Sequence, residues 1–110
     1  MKKRKEFDSI GSISVPVDKY WGASTERSKK YFNIGDTLIN PLIIKSIAVI
    51  KKSAAIVHLK NKEIDKKIAR AIIRASEEVI SGKLNDHFPL KVWQTGSGTQ
   101  TNMNINEVIS

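Results

Sequence analysis

A stretch near the carboxyl end, residues 94–106, concentrates the side chains of this sequence that could do chemistry. It carries four hydroxyls, five amides and two glycines, and it contains no charged residue. Gly96 and Gly98 permit positive φ angles and a close approach of the backbone to a ligand. Thr101 or Asn102 suits the N-cap of a following helix, so that free N–H groups would point out of the loop at a helix N-terminus. Such a loop is suited to bind an anion.

Other kinds of site can be weighed against the same residues. Glycine and serine also form flexible turns, and spacing alone does not separate a turn from a binding loop. The loop is not a Walker loop, because no Gly-Lys-Ser/Thr follows it. It is not a dinucleotide-binding fingerprint either, because it lacks the third glycine and a surrounding βαβ unit. His58 and His87 lie far apart in a chain without cysteine, so the sequence predicts no metal site. We expect His87 to make a loop hydrogen bond instead of serving as a general base, and His58 to be solvated.

Two long helices are predicted in front of the loop. Asn40 followed by Pro41 is typical of an N-cap with proline at the first helical position, and the helix continues to about residue 59. A second helix covers residues 63–81 and ends at Gly82. The short connection between them favours an antiparallel helical hairpin.

Apolar residues recur at helical spacing in both helices. In the first helix one stripe consists of Ile43, Ile47, Ile50, Ala54 and Val57. Further apolar residues lie off this stripe, namely Leu42, Ile44, Val49 and Ile56. In the second helix the residues expected to face inward are Ile64, Ile68, Ala71, Ile72, Ala75 and Val79. A helix that is apolar on more than one face needs partners on more than one side, as inside a bundle.

The first third of the chain is irregular and rich in turns. Alternation of apolar and polar residues over 10–17, with a proline inside, predicts a short edge strand or hairpin arm. Residues 18–22 look like one helical turn, and residues 24–32 like a short helix. We expect Trp21 and Trp93 to be packing anchors.

Composition narrows the class of protein. The chain has 110 residues, 40% of them hydrophobic, which is enough for one ordinary domain and excludes a disordered tail. The formal net charge is +8, with four cations in Lys2–Lys5, and the remaining excess is more typical of a lysine-rich solvated surface than of a nucleic-acid interface. The absence of cysteine fits a reducing compartment such as the cytoplasm. No apolar stretch approaches the roughly 18 residues that a bilayer span requires.

Residues 93–109, Trp-Gln-Thr-Gly-Ser-Gly-Thr-Gln-Thr-Asn-Met-Asn-Ile-Asn-Glu-Val-Ile, resemble the N-terminal motif of class II fumarate hydratase, of the fumarase/aspartase superfamily. Most of the remaining chain resembles the same family in the same order: residues 8–11, 15–16, 20–23, 27–28, 64–83 and 87–90. Trp93 and the sequence of residues 95–100 are similar to those of fumarases and differ from those of aspartases. Ser24, Glu26 and Asn40 depart from the usual family residues, outside the loop.

The resemblance implies a mainly α fold, namely the N-terminal helical domain of the fumarase/aspartase fold over residues 1–110, with a short β hairpin or edge strand near the N-terminus. It implies reversible addition of water to fumarate to give L-malate in the tricarboxylic acid cycle. Ser97, Gly98 and Thr99 would contact a substrate carboxylate. The catalytic acid and base of the family lie in segments after residue 110, so no catalytic residue is expected in this chain, and alone it should be inactive. The resemblance implies a homotetramer for the full-length enzyme, no cofactor, and neither nucleic acid nor membrane as a partner.

Three other readings remain open at this point. The fold could serve an aspartase-like ammonia-lyase of the same superfamily. The chain could be a non-catalytic basic helical module that binds nucleic acid, which a steep salt dependence would reveal. It could also be a structural piece that self-associates through exposed apolar helix faces.

Overall fold

The structure, a computed structural model, describes residues 2–94 and 97–110 of the chain. Within this part the protein is mainly helical and has one small antiparallel sheet. The predicted fold class is therefore confirmed. No helix in the described part is both long enough and apolar enough to cross a membrane.

The described residues divide into two compact units. The N-terminal unit consists of residues 2–39 and the described residues of 86–108, and the helical unit consists of residues 40–85 together with the last two residues. The assignment of residues 1–110 to a single N-terminal domain stays a prediction.

A β-hairpin opens the N-terminal unit. β1 (Lys3–Asp8) pairs antiparallel with β2 (Gly11–Pro16). Asp8 closes the turn, because its Oδ1 accepts the N–H of Ile10 at 3.0 Å and that of Gly11 at 3.2 Å. β2 confirms the predicted edge strand. β1 was not predicted, because most of its residues are charged and it has no alternating apolar pattern.

Arg4, one of the four cations of Lys2–Lys5, is a structural residue of β1. Its guanidinium donates to the carbonyl oxygens of Pro16 and Lys19, each at 2.7 Å, and to that of Trp21 at 2.6 Å. Carbonyl groups that leave a strand still need donors, and Arg4 supplies them from the neighbouring strand. The chain after β2 is thereby held in an irregular path, so the helical turn predicted over residues 18–22 is wrong.

α1 (Ala23–Tyr31) follows this irregular segment and lies within one residue of its predicted bounds. Trp21, just before the helix, is 2% exposed, which confirms it as a packing anchor. Its Nε1 donates to Glu26 at 2.7 Å. Gly22 occupies the N-cap position and has no side chain to accept the first N–H groups of the helix.

The helical unit is built from α2 (Pro41–Lys60) and α3 (Lys66–Ile80). Asn40 Oδ1 caps α2 by accepting the N–H two residues further on at 2.9 Å, as predicted. Asp65 Oδ1 caps α3 by accepting two N–H groups at 2.9 and 3.2 Å, and the helix therefore begins three residues after the predicted start. Gly82, with φ of +85°, follows the end of α3 as predicted.

The two helices form the predicted antiparallel hairpin, but with different buried faces. The first turn of α2 lies beside the last turn of α3, and Lys52 pairs with Glu77 at 3.1 Å. The buried side chains of the pair are Ile44, Ala48 and Ala55 of α2 and Ala69, Ser76 and Val79 of α3.

The predicted stripe of α2 does not face α3. Ile50 and Val57 are 67% and 53% exposed, and Ile68 of α3 is 58% exposed. Since α2 is apolar on several faces, its periodicity allowed more than one stripe. In the structure the buried face of the pair includes the alanines Ala48, Ala55 and Ala69, whose small side chains allow close approach of the two backbones.

Candidate functional site

α4 (Thr99–Ile109) is the helix into which the polar loop leads. The carbonyl oxygen of Gly98 accepts the N–H of Thr101 at 3.2 Å and that of Asn102 at 3.4 Å. The prediction that Thr101 or Asn102 caps this helix is therefore wrong, because both residues lie inside it. Gly98 precedes the helix with φ of +74°, a conformation that glycine adopts at no steric cost.

The three residues predicted to contact a substrate carboxylate lie together at the start of α4. Ser97, Gly98 and Thr99 are all exposed. The hydroxyls of Ser97 and Thr99 are 2.8 Å apart, so one donates to the other. Because each hydroxyl carries one hydrogen, the pair still has one hydroxyl hydrogen to donate to a ligand. Thr95 and Gly96, the preceding residues of the loop, lie outside the described residues.

The electrostatic character of this site comes from dipoles and hydroxyls. Residues 94–106 contain no charged side chain, and the first turn of α4 has no acidic residue. In the first turn of α4 the N–H of Thr99 lies 3.5 Å from Ser97 Oγ, and the N–H groups of Thr101 and Asn102 bind the carbonyl oxygen of Gly98. The dipole of the helix contributes about 0.3–1 kcal/mol toward an anion placed at its N-terminus. The arrangement can therefore accept a carboxylate without a cationic side chain.

A row of polar side chains fixes α4 to the rest of the N-terminal unit. Thr101, Asn104 and Glu107 are spaced three residues apart and so share one face of the helix. Thr101 Oγ1 donates to Gln94 Oε1 at 3.2 Å. Asn104, which is 2% exposed, donates from Nδ2 to the carbonyl oxygen of His87 at 3.1 Å. We call Thr101, Asn104 and Glu107 the polar anchors of α4.

Glu107 makes the most extensive of these contacts. Its carboxylate accepts the N–H of Ser24 at 2.9 Å and the N–H of Thr25 at 2.8 Å, and it also accepts the hydroxyl of Thr25. These are the second and third N–H groups of α1, which a capping side chain normally binds. Glu107 thus caps α1 from another helix, where Gly22 cannot.

The carboxylate requires glycine at position 22. A Cβ on Gly22 would lie 3.0 Å from Glu107 Cδ and would overlap Oε2. Sequence reasoning did not identify this pair, because Glu107 lies more than 80 residues from the N–H groups that it binds. The only sequence signal is an N-terminal turn of α1 that lacks a capping side chain.

His87 has the structural role that the sequence predicts. Its Nδ1 accepts the N–H of Tyr20 at 2.9 Å, and its ring stacks on the Tyr20 ring with 4.5 Å between centroids. The residue is 8% exposed. Because Nδ1 acts as an acceptor, its proton is on Nε2 in this arrangement. The predicted loop hydrogen bond is confirmed.

Two surface contacts perturb acidic groups outside the loop. Lys19 Nζ lies 2.8 Å from Asp86 Oδ2 and holds the pKa of that carboxyl below its usual value. His58, half exposed, pairs with Glu63 at 2.5 Å and lowers the pKa of the Glu63 carboxyl. Neither pair touches Ser97 or Thr99. Within residues 2–94 and 97–110, no group of three or more His, Asp or Glu side chains could hold a metal ion.

Trp93 departs from the prediction of a packing anchor. It is 66% exposed, although its Cδ1 lies so close to Gly35 that an added Cβ there would be 3.0 Å away. Within the described residues, the indole therefore covers the Gly35 backbone on one side and leaves most of its surface open.

Comparison with known proteins places these features in a family. A family model described as lyase matches residues 11–110. The chain is 56% identical over 112 aligned residues to the class II fumarate hydratase of Thermus aquaticus, covering all of this chain and 24% of that protein. The crystal structure of class II fumarase from Schistosoma mansoni matches with a TM-score of 0.96 and 45% identity, over 99% of this chain and 23% of that one.

A fumarate lyase:delta crystallin from Brucella melitensis also matches, with a TM-score of 0.93 and 36% identity, over 98% of this chain and 26% of that one. The chain spans about a quarter of the length of the relatives that it matches. These findings confirm the resemblance that the motif of residues 93–109 indicates.

Proposed function

The chain belongs to the lyase family, and from that premise we propose that it forms the N-terminal part of a class II fumarate hydratase and contributes a substrate-carboxylate-binding loop. The full-length enzyme would interconvert fumarate and L-malate by reversible addition of water. One observation carries the proposal: an exposed pair of hydroxyls, Ser97 and Thr99, lies at the N-terminus of α4 in a chain 56% identical to a class II fumarate hydratase.

The chemistry explains why neutral donors suit this position. In the dehydration direction a base removes the proton next to a carboxylate, and the hydroxyl group on the neighbouring carbon leaves as water after protonation. The carboxylate beside the removed proton must then carry additional negative charge. Hydroxyl and backbone N–H donors can strengthen as that charge develops, without binding the substrate dianion too tightly beforehand.

The residues have distinct roles in this proposal. Ser97 and Thr99 present one spare hydroxyl hydrogen to a carboxylate oxygen. Gly98 provides the turn through its positive φ, and among the described residues nothing lies within 4 Å of a Cβ built there, so the space beside it is open. The helix N-terminus of α4 adds its dipole.

The acid and the base of the reaction are proposed to come from segments outside this chain, in an assembly of several subunits. The chain alone is therefore expected to be inactive. A full-length test can use a hybrid enzyme in which this chain replaces the corresponding N-terminal segment of the Thermus aquaticus fumarate hydratase. Fumarate consumption, followed by its ultraviolet absorbance, measures activity, and aspartate offered in parallel tests the ammonia-lyase alternative.

In the hybrid enzyme, Ser97→Ala and Thr99→Val each remove one donor. Loss of a hydrogen bond to a charged group lowers kcat/KM for fumarate by about 10- to 100-fold. Ser53→Ala is the matched control, because the exposed Ser53 hydroxyl binds a carbonyl oxygen of its own helix α2. An inactive hybrid beside an active parent enzyme, or unchanged kinetics in both loop variants, would contradict the proposal. Turnover of aspartate instead of fumarate would favour the ammonia-lyase.

A further inference from the structure

The polar anchors of α4 connect the candidate site to the start of α1. Thr99 opens α4 at the candidate site, and Glu107 lies eight residues further on, about 12 Å along the axis at 1.5 Å per residue. Between them, Thr101 and Asn104 hold α4 to loop segments by single hydrogen bonds. Glu107 instead holds it to the first turn of another helix through three donors.

The bond between Glu107 and α1 is rigid for three reasons. Both carboxylate oxygens are engaged, one by Ser24 and the other by Thr25. Thr25 is fully buried, so its hydroxyl cannot turn to water as an alternative partner. The N-terminus of α1 also attracts a negative charge, and Gly22 offers no competing cap.

We infer that Glu107 is a positioning residue for the substrate loop: by locking one end of α4 onto α1, it fixes the direction in which Ser97 and Thr99 point. This inference rests on the proposed function of the loop. Over a lever of about 12 Å, a tilt of about 5° displaces the start of α4 by about 1 Å, and a displacement of that size can cost a reaction two orders of magnitude in rate. Glu107 itself does not touch the loop hydroxyls and is not a catalytic residue.

Kinetics of the hybrid enzyme test the inference. Glu107→Gln keeps the length of the side chain and removes its charge, and Glu107→Asp keeps the charge and withdraws it by one methylene. We expect each to raise the KM for fumarate at least about fivefold in folded enzyme, through misplacement of the loop. Glu77→Gln is the matched control, because Glu77 forms an exposed ion pair in the helical unit, and its KM should not change.

A purely structural role for Glu107 has a different signature. If Glu107 only stabilised the fold, its variants would have a lower melting temperature, and the KM of the folded fraction would be unchanged. That result would overturn the inference. If Glu107→Gln does not fold, Thr25→Val removes one of the three donors at nearly constant volume and should raise KM about twofold. An unchanged KM in that folded variant would overturn the inference equally.

The loop variants separate the two proposals. A lowered kcat/KM in Ser97→Ala and Thr99→Val, with an unchanged KM in the Glu107 variants, removes the positioning role and leaves the proposed function intact. Unchanged kinetics in the loop variants removes the proposed function, and the positioning role with it.

Discussion

Replacing Gly22 by alanine perturbs the bond between α1 and α4 with a single methyl group. The backbone at Gly22, with φ of −111° and ψ of −154°, is accessible to alanine, so backbone strain does not contribute. The new Cβ would lie 3.0 Å from Glu107 Cδ and would overlap Oε2. The carboxylate must therefore move away from the N–H groups that it caps.

The size of the effect follows from the bonds that are broken. A hydrogen bond to a charged group contributes about 1.5–3 kcal/mol, and moving the carboxylate weakens at least one of the two bonds to Ser24 and Thr25. Alanine also makes the unfolded chain less flexible than glycine does, which offsets about 0.4–1 kcal/mol of this destabilisation. We expect Gly22→Ala to lower the free energy of unfolding by about 2 kcal/mol, measured by urea denaturation of the 110-residue chain with far-ultraviolet circular dichroism.

A double-mutant cycle identifies the cause. Glu107→Asp withdraws the carboxylate from position 22. In the Glu107→Asp background, Gly22→Ala should therefore lower the free energy of unfolding by less than about 1 kcal/mol. The coupling energy between the two substitutions should be at least about 1 kcal/mol. The matched control is Gly22→Ala combined with Glu77→Asp, where the two changes should be additive. Equal costs of Gly22→Ala in the wild-type and Glu107→Asp backgrounds would refute the steric argument.

Two further predictions concern the hairpin. Arg4→Met keeps much of the side-chain volume. It leaves the carbonyl oxygens of Lys19 and Trp21 without their Arg4 donor and removes one of two donors to the carbonyl oxygen of Pro16, which keeps the N–H of Lys19. We expect a loss of about 3 kcal/mol in the free energy of unfolding by urea denaturation, and a loss below about 1 kcal/mol would contradict the role given to Arg4. The hydrogen bond with Arg27 is the main cause that lowers the pKa of the Asp8 carboxyl below its ordinary value of 3.8. The charged carboxylate therefore stabilises the fold above pH 3.8, and this stabilisation is lost as the pH falls through the pKa of the folded state. The stability difference between wild type and Asp8→Asn should therefore be full at neutral pH and disappear in strong acid, and a difference that grows on acidification would contradict this assignment.

Much of the helical unit could be predicted from the sequence, because its signals are local. Asn40, Pro41 and Gly82 act within one turn of the helix ends that they mark, so the bounds of α2 and the end of α3 were correct within one residue. The start of α3 was misplaced, because Asp65 was not recognised as its cap. The buried face of α2 was also wrong, since several faces of this helix are apolar and only the position of α3 selects one.

The same distinction applies to the candidate site. The composition of residues 94–106 indicated a neutral loop suited to an anion, because its glycines and hydroxyls are adjacent in the chain. The family resemblance implied Ser97, Gly98 and Thr99 as carboxylate contacts, and that assignment stays a prediction. The support of the loop was invisible, since Glu107 and Arg4 act on backbone groups that no residue pattern marks. Glu107 binds N–H groups more than 80 residues away, and Arg4 binds carbonyl oxygens 12 to 17 residues away. A hydrogen bond to the backbone places no demand on the identity of its partner, so only the folded chain shows which backbone groups these two side chains reach.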